Sequence, residues 1–188
     1  MPAILDYAVV LSRMTADGFR CNYPNGGSFS FPTPPLVRGW ITSPDQTIRL
    51  ELANQLRTVP YPAESAAVLW QTALSGPAWI MPASHWHFEF HDGSRDWMAD
   101  VLRVIQINPV MLENRPDASA IEFVPHESAA FTRLLAALLS NLRVSDFSIA
   151  FPGRPALCTV HHHNQLWWTS TDANLIGQID LICNPTAR

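Results

Sequence analysis

The sequence predicts an α+β protein: a two-layer α/β sandwich whose mainly antiparallel or mixed sheet carries its helices on one face. Three observations carry this. Segments 84–91, 120–124, 145–151 and 156–169 alternate apolar with polar residues, the period of a half-buried strand. Segments 97–105, 131–138 and 172–182 place apolar residues at i, i+3 and i+4, the stripe of a helix buried along one face. The two patterns also recur as a unit: HFEFHDGSRDWMADVLRVI (87–105) is followed by AIEFVPHESAAFTRLLAALL (120–139), with Phe90 matching Phe123. Two copies are too few for a solenoid and predict strand–helix units sharing one sheet. A chain of 188 residues, 47% of them hydrophobic, can bury a sizeable core. One domain is expected over 1–188, with a Pro-rich N-terminal part (1–78: strand, hairpin, two helices) packed on a strand–helix core (79–188).

In chain order, ILDYAVVLS (4–12) reads as a strand. Residues 19–31 read as two short extended pieces around the turn Asn25-Gly26-Gly27. SPDQTIRLELANQL (43–56) opens with Ser43, Pro44 and Gln46, a capping-box start with proline in the first turn, and predicts a helix carrying Ile48, Leu52 and Leu56. A second helix is expected over 63–75, stopped by Gly76 and Pro77. Beyond residue 79 the strands and helices named above follow, with a turn at Pro152-Gly153 between 145–151 and the long strand 156–169.

Strand parity then sorts the side chains. In 84–91, Trp86, Phe88 and Phe90 take one face while His85, His87, Glu89 and His91 take the other. In 156–169, Cys158, Val160, Leu166 and Trp168 share a face with His162, which is expected to be a hydrogen-bonded core residue. His161, His163, Gln165 and Trp167 lie opposite. If these two strands are neighbours, their His-x-His pairs can close on one ion, because adjacent strands lie about 4.8 Å apart.

Composition excludes several chemistries. The net charge is −4, and all twelve basic residues are scattered arginines, which argues against nucleic acid as a partner. Without lysine there is no Schiff-base catalysis and no phosphate-binding P-loop lysine. His126-Glu127 begins like a zinc-protease helix, but Ala130 stands where its second histidine belongs. The turn His91–Asp96 carries Arg95 and can be read as an anion cradle; a tight turn with a Ser94 cap accounts for every residue in it. Cys21, Cys158 and Cys183 are odd in number and lack CxxC spacing, so neither disulfides nor a thiolate zinc site is expected. Asp6 interrupts the first apolar run, no stretch is long enough for a membrane span, and a reducing, cytoplasmic setting is expected.

Two functions follow. The first is a soluble non-catalytic protein, without cofactor, that binds a macromolecular partner in the manner of an inhibitor, immunity or adaptor protein. Its contact surface would be His163, Gln165 and Trp167, because surplus tryptophan on a polar face is typical of interfaces. The second is a metal-dependent enzyme, a hydrolase, holding zinc or another divalent transition metal on His85, His87, His161 and His163. Glu89 or Glu122 would then act as general base.

Overall fold

The apolar alternation becomes one eight-stranded sheet in the structure, a computed structural model that describes residues 1–42, 56–59 and 61–183. β1 (Ala3–Leu5) and α1 (Tyr7–Ala16) open the chain, and β2 (Arg20–Cys21) pairs with β3 (Phe29–Ser30) in a small separate hairpin. β4 (Leu36–Ile41) and β5 (Leu56–Thr58) follow, then α2 (Pro62–Leu69), which continues as a π-helical turn (Trp70–Leu74), and β6 (Ala78–Pro82). α3 (Trp86–Phe88) runs into a second π-helical turn (Glu89–Gly93), ahead of α4 (Met98–Val104), α5 (Val110–Glu113), β7 (Ala120–Phe123) and α6 (Ser128–Asn141). β8 (Phe147–Ala150), β9 (Ala156–His161), β10 (Gln165–Ser170) and α7 (Ala173–Cys183) complete it. The sheet order is β1-β7-β6-β8-β9-β10-β4-β5, antiparallel at each step except β4–β5.

One sheet face meets α2, α4, α6 and α7. Phe123, Ile149, Val160, Leu166 and Trp168 pack there with Phe131, Leu134, Leu138 and Ile179 in the main core. α6 forms the stripe expected of it, burying Phe131, Leu134, Leu135 and Leu138. The stripe expected from 97–105 is Trp97, Val101 and Ile105. Ile105 is buried at the end of α4, Trp97 and Val101 are partly buried, and Met98 and Leu102, one residue round the helix, are fully buried. α7 begins where Asp172 Oδ1 accepts the backbone N–H of Asn174, a side-chain N-cap. The second sheet face is not left open. α1 and the β2–β3 hairpin cover part of it, and Val10, Met14, Phe19 and Phe29 enclose Trp79 and Met81. Trp40, Trp70 and Trp79, which periodicity left unassigned, are all buried.

Three local readings are corrected. Residues 4–12 are not one strand. Asp6 stands between β1 and α1, and Val10 and Met14, four apart, become the helix's buried pair. α1 ends in a Schellman motif, with Phe19 N–H bonded to Met14 O at 2.9 Å and Gly18 N–H to Thr15 O at 3.0 Å around Gly18 (φ 89°). Within 84–91 the chain is helical from Trp86 onward rather than a strand, because β6 already fills the position between β7 and β8. Trp86 and Phe90 still reach the core since four residues make about one helical turn, whereas Phe88 falls outside it. The repeat of strand–helix units therefore fails at its first copy. Residues 156–169 form a hairpin, β9 and β10 around a three-residue turn. The helix expected from residue 43 lies outside the described residues up to position 55, and Leu56 begins β5. The expected helix over 63–75 and the hairpin around Asn25-Gly26-Gly27 are both present.

Candidate functional site

The hairpin turn brings three histidines together. His161 pairs with Gln165 across β9–β10, which leaves 162–164 as the loop, and Asn164 takes a left-handed conformation (φ 60°). Three-residue hairpin loops commonly end in one left-handed residue, a role asparagine fills readily. Adjacent side chains normally diverge along a strand; the turn removes that alternation and stacks them. Ring centroids lie 4.2 Å apart for His161–His162, 4.3 Å for His162–His163 and 4.8 Å for His161–His163. One ligating atom from each lies within 4.8 Å of the others, the one such group of three among the described residues.

Asp146 orients the middle ring. Its Oδ1 accepts both the His162 backbone N–H (3.0 Å) and His162 Nδ1 (2.8 Å). A carboxylate has no hydrogen to give, so His162 Nδ1 carries one, and in the neutral ring Nε2 keeps its lone pair. His161 is half-buried, and this burial lowers its pKa; Asp146 opposes the shift, and His162 and His163 reinforce it. A neutral ring is the form that can ligate a metal. His161 Nδ1 accepts the His163 backbone N–H at 3.2 Å, a bond that closes the turn.

The residues expected to form the site are distributed differently. His85 is the N-cap of α3: its Nδ1 accepts the Phe88 backbone N–H at 3.1 Å, which leaves the proton on Nε2. His87 is exposed and lies against His91 (centroids 4.3 Å), a one-turn neighbour, so His85 and His87 do not form a strand pair facing His161 and His163. Glu89 is fully buried. Ser84 Oγ donates to its Oε1 (3.1 Å), while Ser94 and Ser145 Oγ donate to its Oε2 (both 2.8 Å). Burial raises its pKa against these three bonds, and Asp146 adds to the rise. Glu122 accepts Trp79 Nε1 at 2.8 Å on the second sheet face. Neither glutamate stands free as a general base. The expected contact surface is largely buried too: Gln165 is 1% and Trp167 8% exposed, with Trp167 Nε1 bonded to Gln165 Oε1 (2.9 Å), and only His163 of the three is exposed.

Beside the Asp146–His162 pair lies a cavity of about 480 Å³, walled by Tyr23, Phe88 and Val144 on its apolar side and by His85, Asp146 and His162 on its polar side. Ser84 and Ser145, both bonded to Glu89, also line it. Sequence reasoning missed Asp146 and assigned His162 to the core. The signal for the turn was Asn164, the residue type that tolerates positive φ inside an apparently continuous strand. Cys158 is buried, which pushes its thiol pKa up and leaves it inert. Among the described residues no helix is long and apolar enough to cross a membrane. Protein-family models, curated proteins and solved structures give no match to this chain.

Proposed function

We propose that the chain binds a divalent transition metal, with zinc as the reference ion, through His161, His162 and His163. The observation that supports this best is the approach of three imidazole ligating atoms to within 4.8 Å of one another, with Asp146 holding the middle ring in a ligating tautomer. Tetrahedral zinc with bonds of about 2.0–2.1 Å needs ligand nitrogens about 3.4 Å apart. Closing that gap asks for ring rotations on a turn, and for His161 to give up one 3.2 Å bond to His163. The carboxylate–histidine contact is the usual outer partner of a metal-bound imidazole, since it fixes the tautomer and raises the basicity of the ring. Three protein ligands leave one coordination position for water or a small ligand, as in catalytic rather than closed structural sites.

This reading keeps the metal expected for a histidine cluster but moves its ligands: His162 replaces His85 and His87. The hydrolase assignment to Glu89 or Glu122 is not carried forward, because each is already hydrogen-bonded within the fold. Binding of a macromolecule through His163, Gln165 and Trp167 is less well supported, because two of the three are buried. Elemental analysis of untagged protein, loaded with zinc and dialysed, tests the proposal. About one zinc per chain is expected in the wild type and in His87→Ala, with loss in His162→Ala. No retained zinc, or full retention in a His161→Ala/His163→Ala double variant, would overturn it.

A further inference from the structure

We infer that the cavity beside Asp146 and His162 is a binding site for a small organic cation, a protonated amine carrying an apolar body. The inference stands on the chemistry of the wall and needs no metal. Asp146 lines the cavity as its one acid among the described residues, and Glu89 sits behind Ser84 and Ser145. Among the described residues no arginine lines it, in a chain whose twelve basic residues are all arginine. A carboxylate or phosphate ligand would meet the like charge of Asp146 with no arginine among the described lining residues to offset it.

The hydrogen-bonding roles are fixed by contacts already made. Ser84 and Ser145 donate their hydroxyl hydrogens to Glu89, so toward a ligand their oxygens can only accept. His162 donates Nδ1–H to Asp146, and as the neutral ring it offers Nε2 as an acceptor. Both His162 contacts use Asp146 Oδ1, and no bond to Oδ2 is found among the described residues. Against these acceptors the side-chain donors are His85 Nε2–H, left by the Phe88 contact, and the hydroxyl of the exposed Tyr23. An acceptor-rich wall calls for a ligand that brings N–H groups, and a purely apolar ligand would leave these acceptors without water or partner. Tyr23, Phe88 and Val144 supply the apolar and aromatic surface, and aromatic faces attract a cation directly. A protonated amine on a compact hydrocarbon body meets all three requirements. A metal on His162 Nε2 would take the same acceptor and add positive charge, so the two ligands exclude one another.

Calorimetric titration at neutral pH in the presence of EDTA tests the site, with benzylammonium, benzyl alcohol and benzoate as probes of matched shape. Saturable binding of benzylammonium is expected, about ten-fold or more tighter than the alcohol, with no binding of benzoate. Asp146→Asn should weaken the amine about ten-fold by removing the charge. Val144→Trp should block the cavity mouth; Val144 is 63% exposed, so the change leaves the core alone. Thermal melts verify that both variants fold. Equal affinity for the alcohol or the anion, no saturable binding of the amine, or wild-type affinity in both folded variants would overturn the inference. Because the titration is run without metal, its outcome is separate from that of zinc loading.

Discussion

Asp146 and His162 are sixteen residues apart in sequence and meet through one atom, with Asp146 Oδ1 2.8 Å from His162 Nδ1 and 3.0 Å from its backbone N. The meeting follows from strand register. β8 and β9 pair Phe147 with Val160, so the residue before β8 arrives beside the end of β9 and the start of the turn. The carboxylate is thus positioned by backbone hydrogen bonds, and the imidazole it holds belongs to both the histidine cluster and the cavity.

Asp146→Asn should therefore weaken zinc binding about 10–100-fold, the usual loss when the outer partner of a ligating histidine is changed. An asparagine amide can present either its oxygen or its nitrogen to Nδ1, so the tautomer is no longer enforced. Competition with a fluorescent chelator reads the affinity. An unchanged value would mean that His162 is not a ligand.

Glu89→Gln should change how stability depends on pH. Burial places the folded pKa of Glu89 above its ordinary value of 4.5. Its stabilising contribution is fully present below that ordinary value and is lost as pH rises through the folded value. Glutamine does not titrate, so the variant should gain on the wild type as pH rises from that ordinary value through the folded one. Denaturant midpoints across that range measure it, and a constant difference would show that Glu89 titrates alike in both states.

Phe123→Ala should destabilise by about 3–5 kcal/mol, because the ring is fully buried between β7 and α6, against Phe131 at 5.7 Å. His87→Ala, at an exposed position of α3, should stay within about 0.5 kcal/mol of wild type. Paired urea melts compare them.

Gly39→Ala should cost about 1–3 kcal/mol through overpacking. A Cβ there would stand 2.5 Å from Leu56 Cδ2 and 2.7 Å from Trp167 Cζ3, so the glycine makes room for the Trp167 ring on β10. The same melt measures it; a neutral result would mean that the indole moves freely.

Sequence alone determined the α+β class, the stripe on α6 and the burial of Phe123, Ile149 and Trp168, because periodicity is a local property that survives whatever the neighbours are. It determined the face of β9 and β10 as well, even though the turn between them went unseen. Cys158 opposes Trp168 and Val160 opposes Leu166, so a hairpin in this register keeps residues of equal parity together as a single strand would. Tertiary structure decided the remainder. Trp86 and Phe90 are an even number apart and also about one helical turn apart, so their spacing fits both structures; β6, already paired with β7 and β8, settled it as helix. The grouping of His161, His162 and His163 needed Asn164 at positive φ, and the orientation of His162 needed a carboxylate placed just before β8. Both depend on the register between strands, which is set by long-range backbone pairing and leaves no periodic trace in the chain.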